Sequence, residues 1–274
     1  MTIPSLFISH GAPTFALEPG VAGAALAALG QRLPTLTAVL VVSPHWITAG
    51  LEVTASAAPA TLHDFGGFPQ ALYALTYPAP GHPALAAEVM QLLSAAGSAV
   101  TLDGQRGLDH GAWVPLRHLL PAATTPVLQL SLPQSLDAGG ALRLGRALRL
   151  GRALRPLRDR GVLVVGSGSM THNLGEFRGA GAADEAVYVG EFVQWVRHAV
   201  TTGDTDALAD YRRRAPHALR AHPTEEHFLP LLVAVGAASA GDPVEVIEGG
   251  TLYGMLSMES YLFGQVDASI SPAA

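Results

Sequence analysis

Apolar residues in this chain fall into two kinds of run. Short β-branched stretches at 5–9, 38–43, 99–102, 126–132, 162–166 and 244–248 have strand length, and longer Ala/Leu-rich stretches at 21–32, 83–96, 114–120, 139–155, 186–201, 205–215 and 224–236 have helical character. The two kinds alternate, as in α/β proteins whose helices cover a central sheet. The runs AVLVVS and GVLVVG show no polar alternation, so they read as interior strands buried on both faces. We therefore expect one α/β domain over residues 1–274, with a mostly parallel or mixed sheet and helices on both faces. No composition break marks a linker, and no repeat of 20–50 residues is present. A hexad, LGRALR, occurs twice in succession at 144–149 and 150–155. Six residues turn a helix by about 600°, so a duplicated copy would misalign a packed face, and the extra hexad is expected to extend a loop or an exposed helix start.

With 274 residues and 49% hydrophobic content the chain can build a full core. Charge then narrows the function. The net charge is −6, and all 16 basic residues are Arg, since Lys is absent. A cationic nucleic-acid footprint is missing, and the Arg clusters at 143–160 and 212–214 read as solvated helix faces. Without Lys there is no Schiff-base, pyridoxal-phosphate or Walker-type lysine chemistry. Without Cys there are no disulfides, thiolate nucleophiles, iron–sulfur clusters or thiolate zinc sites. The first five residues carry no basic segment of a secretory signal. The longest apolar stretch, 228–238, contains Pro230 and Gly236 and is too short to span a bilayer. A cytoplasmic protein without nucleic-acid or membrane partners is expected, and a homo-oligomer is left open.

Eleven histidines stand out in a chain otherwise poor in polar chemistry. His10 follows the first strand, His45 follows VVSP, and His172 follows the strand at 162–166 and the turn Gly166-Ser167-Gly168-Ser169. In open α/β sheets that edge encloses the ligand crevice; if these strands are parallel neighbours, the imidazoles converge. His227 lies in HPTEEHFLP, where Thr224 reads as a helix N-cap with acidic residues in the first turn. Taken singly, each is more often a core or surface histidine with a satisfied hydrogen bond. Taken together, neutral imidazoles without thiolates suit Zn(II) or Fe(II). His63, in TLHDFGGFP, divides evenly between structure and function. His110 either supplies a proton or caps a helix. His82, His118, His198, His217 and His222 are expected at the surface. The Gly166–Ser169 turn lacks both the lysine of a phosphate loop and the third glycine of a dinucleotide fingerprint, and it does not match GxSxG.

In order, ISHG, VVSPHW, HDFGGFP, DHGAW, SGSMTHN and PTEEHFLP give the chain a resemblance to the class III extradiol ring-cleavage dioxygenases, nearest to their bacterial 4,5-DOPA-dioxygenase-like branch. It extends from about Ser5 to about Gly264. The resemblance implies a single α/β domain with one non-haem metal, Fe(II) in active members and Zn(II) in some relatives. By motif position His10, His45 and His227 would be ligands, and His172 either a further ligand or the acid/base beside the metal. A third His where the usual triad has a carboxylate would leave the ion its full charge and favour an anionic catecholate. Glu226 would not ligate with His227 if both were helical, because consecutive helical residues point about 100° apart.

The implied reaction opens an aromatic ring beside its catechol hydroxyl pair with O2, chemistry that redox-inert Zn(II) cannot support. A nearby histidine would move the protons; His172 is the first candidate and His110 the second. Asp64 and His63 are candidates to contact polar groups of the substrate, and Trp46 and Phe65 to line the ring site. For a substrate with an amino-acid side chain, Arg106 and Asp64 are the candidate partners. Two other readings use the same histidines: a zinc-dependent hydrolase with Glu226 or Asp64 as base, and a non-catalytic metal-binding relative.

Overall fold

The computed structural model describes residues 2–134, 140–177 and 184–266. Its strands are β1 (Ser5–Ser9), β2 (Ala38–Thr48), β3 (Leu51–Thr54), β4 (Val100–Asp103), β5 (Val127–Pro133), β6 (Val162–Gly168), β7 (Val244–Ile247), β8 (Thr251–Leu252), β9 (Leu256–Ser257) and β10 (Ser260–Phe263). Eight of them form one sheet in the order β4-β3-β5-β2-β6-β1-β10-β7, and β8 pairs with β9. The four central strands, β5, β2, β6 and β1, are mutually parallel. β3 and β10 attach to this block antiparallel. The sheet is therefore mixed around a parallel centre.

Both uninterrupted apolar runs lie in that centre, as β2 and β6, and are buried at every position from Ala38 to Val42 and from Val162 to Gly168. Alternate residues of β6 face opposite layers. Gly166 abuts Pro230 of the Leu229–Ala237 helix, and the next residue, Ser167, meets Gly111 of the His110–Leu119 helix. Helices thus cover both faces.

Several helix boundaries differ from the sequence expectation. The helix expected from Thr224 begins at Leu229, and residues 223–228 form turns. Pro230 explains this. It has no N–H to donate and is tolerated only in the first turn, where the orphan donors lie. The helix expected at 114–120 starts at His110, because Asp109 caps it by accepting from the Ala112 N–H at 3.2 Å. The stretch 205–215 splits into Thr205–Ala209 and Tyr211–Arg214.

The duplicated hexad is part of the packed Gly140–Leu154 helix, contrary to the expectation of a loop or exposed start. Leu144, Ala147 and Leu148 are buried from the first copy, and Leu150, Gly151 and Leu154 from the second. The leucines serve the core in both copies, while burial passes from the alanine of the first to the glycine of the second, so that 144, 147, 148, 151 and 154 continue the i, i+3, i+4, i+7 face. Gly151 lies against the Val233 carbonyl of the neighbouring helix, where any Cβ would collide. Nor is the Arg cluster uniformly solvated. Arg158 is 1% exposed, donates to the carbonyls of Ile3 (2.6 Å) and Ala237 (2.9 Å), and pairs with Asp242 at 2.8 Å.

Candidate metal centre

β1 and β6 end side by side, Ser9 aligned with Gly168, and the pairing of β2 with β6 stops beside them, at Val42 and Gly166. β1 and β2 each deliver an imidazole there. His10 comes directly off β1, its N–H donating to the Gly168 carbonyl at 2.9 Å. His45 sits in a bulge of β2. Val42 pairs with Leu130 and Ile47 with Leu132, so four residues of β2, 43–46, stand against the single Ser131 of β5. Pro44, which cannot donate to a ladder, lies inside that bulge, and bulges re-aim side chains. His227 arrives from the other layer in the turn before the Leu229–Ala237 helix, and its carbonyl accepts from Ser169 N–H at 3.0 Å. The Gly168-Ser169 backbone at the end of β6 thereby ties down both His10 and His227.

The ligand atoms of His10, His45 and His227 all lie within 4.8 Å of one another. The Nε2 atoms of His10 and His45 are 3.2 Å apart. Buried His227 Nε2 has no hydrogen-bond partner in the protein. Hydrogen bonds at the far side of the rings decide the tautomers. Ser167 Oγ donates to the Gly111 carbonyl, so at 3.0 Å from His10 Nδ1 it must accept, which leaves His10 Nε2 as a bare lone pair. Glu226 Oε1, 3.3 Å from His227 Nδ1, accepts in the same way. Burial first, then repulsion by neighbouring imidazoles, holds His10 and His227 well below the ordinary histidine value. Burial and His110 bring His45 to about 3. All three are neutral at pH 7, the form a metal requires. An orphaned buried nitrogen among neutral imidazoles, with carboxylate and hydroxyl acceptors behind them, fits a divalent cation.

Two further histidines border the cluster. The His172 ring stacks on His227, centroids 3.5 Å apart and planes at 9°. Its backbone N–H donates to Ala221 O at 2.8 Å. His110 stands 3.9 Å from His45, ring centroid to centroid. Asp64 grips it twice, Oδ1 accepting its N–H at 2.9 Å and Oδ2 lying 3.1 Å from Nδ1. Burial pushes the Asp64 carboxyl up, but the bonds and charge of His110 outweigh it and bring it to about 2.

The remaining candidates divide. Phe65 meets the His110 ring edge-on at 5.7 Å and so borders the cluster. His63 packs against Phe65, but its Nε2 donates to the Leu75 carbonyl at 3.0 Å, an anchoring role for that loop. Trp46 is buried beneath the Arg106 guanidinium, 5.3 Å from its ring. Arg106 is itself engaged with the His45 carbonyl at 3.2 Å. His222, expected at the surface, is wholly buried and donates from Nε2 to the Met170 carbonyl at 2.9 Å. His118 and His82 are half-buried, bonded to the Phe15 carbonyl and the Leu85 N–H, while His198 and His217 are exposed. The 100° argument against Glu226 fails, because residues 226 and 227 lie in a turn. Ser167 is not among the residues the sequence points to, because the Gly166–Ser169 turn matches neither a phosphate loop nor GxSxG; the signal it carries is that a hydroxyl at the end of a buried strand needs a partner.

Residues 21–264 match the family described as the catalytic LigB subunit of aromatic ring-opening dioxygenase. The chain is 39% identical to the 4,5-DOPA dioxygenase extradiol of Escherichia coli (strain K12), over 96% of this chain and 95% of that protein. It is 38% identical to the 4,5-DOPA dioxygenase extradiol of Beta vulgaris, over 94% and 96%. The crystal structure of an uncharacterized protein from Escherichia coli K12 superposes with a TM-score of 0.77 at 33% identity, covering 96% of this chain and all of that one. Among the described residues no helix is long and apolar enough to cross a membrane. A family match over most of the length, relatives that share both sequence and fold, and histidines converging at one sheet edge all agree: the chain belongs to the LigB family of class III extradiol dioxygenases, and it is an extradiol dioxygenase.

Proposed function

We propose that this chain, acting as one catalytic domain, opens the ring of a catechol next to its hydroxyl pair by inserting O2, with Fe(II) held by His10, His45 and His227. The observation that carries the ligand set is the buried, unpartnered Nε2 of His227 in a residue whose ligand atom lies within 4.8 Å of those of His10 and His45. Bound there, Fe(II) would supply a redox-active centre for both catechol and O2; Zn(II) fits the same donors but is redox-inert.

The chain's own residues supply orientation and proton transfer. An imidazole lone pair lies in the plane of its ring, and the planes of His172 and His227 are nearly parallel at 3.5 Å. The two rings therefore cannot aim their lone pairs at one point. This supports His172 as acid/base rather than ligand. Burial lowers its affinity for a proton while nearby Glu226 raises it, so His172 is neutral at pH 7 and free to accept the catechol proton. His110, whose Nδ1 lies 3.1 Å from Asp64 Oδ2, is the second proton carrier. Phe65 forms part of the apolar wall for the ring. The relatives' names point to catechols bearing an amino-acid side chain.

The test is anaerobic reconstitution of the chelator-treated protein with Fe(II), then air and a panel of catechols including DOPA. O2 uptake matched by a yellow ring-opened product is expected, with Zn(II) inactive. No product from any catechol, together with zinc-dependent ester or amide hydrolysis, would replace this reading with the hydrolase.

A further inference from the structure

His45 is the proposed ligand that lies within a strand yet outside its ladder, since the β2 bulge removes residues 43–46 from the pairing with β5. Its polar backbone atoms nevertheless have partners. The His45 N–H donates to Ser43 Oγ at 3.2 Å, and its carbonyl accepts from Arg106 Nη2 at 3.2 Å. Both lead to one carboxylate. Ser43 Oγ donates to Asp109 Oδ1 at 2.9 Å, and Arg106 Nη2 lies 3.6 Å from Asp109 Oδ2.

Asp109 is completely buried and held from every side. Oδ1 also accepts the Ala112 N–H that caps the His110–Leu119 helix, and Oδ2 accepts from Gln129 Nε2 at 2.7 Å. The same Gln129 returns its Oε1 to the Asp109 N–H at 2.9 Å. Gln129 belongs to β5, the strand that the bulge leaves. The carboxylate thus bridges three pieces: the bulge of β2, the flat strand beside it, and the helix that starts with His110. Its neighbourhood is closely packed, for a Cβ on Gly111 would meet Ser43 Oγ at 2.5 Å and His45 Cδ2 at 3.0 Å. The His45 ring lies close against the backbone of that helix at Gly111.

We propose that Asp109, acting through Ser43 and Arg106, is the positioning residue that sets the aim of the His45 imidazole at the metal centre. This rests on the reading of His10, His45 and His227 as ligands. Asp109 touches neither metal nor substrate. It replaces the ladder bonds that the bulge gives up, and a fully satisfied buried carboxylate is a rigid hub. Removing such a support from a metal-ligating histidine typically weakens metal binding roughly 10–100-fold.

The experiment titrates Co(II), whose visible spectrum reports its ligands, into chelator-treated wild-type protein and the variants Ser43→Ala, Arg106→Met, Arg106→Lys, Asp109→Asn and His10→Ala, with the melting temperature of each apo-protein measured alongside. Ser43→Ala and Arg106→Met leave the carboxylate in place, so they test the link even if Asp109→Asn does not fold. The expected result is Co(II) affinity lowered roughly 10–100-fold in both, with an altered spectrum, and partial recovery in Arg106→Lys, which keeps a donor for the His45 carbonyl. Where Asp109→Asn folds, adding Ser43→Ala should weaken binding no further, because both act through one link. Wild-type affinity and spectrum in Ser43→Ala and Arg106→Met, whatever their melting temperatures, would overturn the proposal. If the wild type fails to bind Co(II), or His10→Ala binds it equally well, the ligand reading itself falls and the proposal with it.

Discussion

His222 makes the protein sensitive to acid in a way that one substitution should remove. Its ring is fully buried among Phe192, Tyr211 and Phe228, with Nε2 donating to the Met170 carbonyl. Burial brings its proton affinity from an ordinary 6.5 down to about 3. Above pH 6.5 neither folded nor unfolded chain is protonated there, and the residue contributes no pH dependence. Below it the unfolded chain takes a proton that the folded chain refuses until about pH 3, so stability is lost as pH falls across that window. Each pH unit costs about 1.4 kcal/mol, which brings the loss to about 3 kcal/mol at pH 4. His222→Gln can keep a donor for the Met170 carbonyl but cannot titrate. The substitution carries a constant cost from repacking, so only the change with pH matters. Urea unfolding of chelator-treated protein at pH 7 and pH 4 should show the variant gaining about 3 kcal/mol on the wild type between the two. An equal gap at both pH values would mean that burial does not hold His222 neutral, and would refute the reasoning.

Two other substitutions probe opposite ends of the sheet. His172→Ala should lower turnover roughly 10²–10⁴-fold, the range for a lost acid/base, while bound metal measured by elemental analysis stays at the wild-type level; loss of the metal would instead place His172 among its ligands. Arg158→Met strips the donors from the Ile3 and Ala237 carbonyls and leaves Asp242 unpaired. It should cost roughly 3–5 kcal/mol in urea unfolding with Co(II) affinity unchanged, since these contacts lie at the sheet edge away from the histidines; a drop in affinity would show that the two ends communicate.

What the sequence conveys here follows physical locality. β2 and β6 were legible because burial on both faces leaves residues 38–42 and 162–165 uninterruptedly apolar, and His10, His45 and His172 were legible because they follow apolar strand runs. β3 and β10 were not seen. β3 is four residues long and antiparallel to its neighbour β5, and β10 lies in a segment without a strong apolar run. The start of the last helix was misjudged because capping residues at 224–226 outweighed Pro230, although a missing N–H is the stronger constraint. Arg158 and His222 were assigned to the surface by residue type. Which arginine or histidine is buried depends on distant carbonyls, Ile3, Ala237 and Met170, that no local pattern announces. The same holds for Asp109, which joins residues 43, 106 and 129 only in three dimensions.

The arrangement of charge follows from where the carboxylates stand. On the proposed ligand set three neutral imidazoles would leave the cation its full +2, a charge that buried surroundings tolerate poorly. Asp64 and Glu226 answer it from one residue further out, each on the Nδ1 of an imidazole, His110 and His227. Behind His227, a proposed ligand, the Glu226 carboxylate would make the ring a better donor without occupying a coordination position. An anionic catecholate would be drawn to a centre whose own ligands carry no charge. Placed among the ligands instead, either carboxylate would offset part of the attraction that binds the substrate.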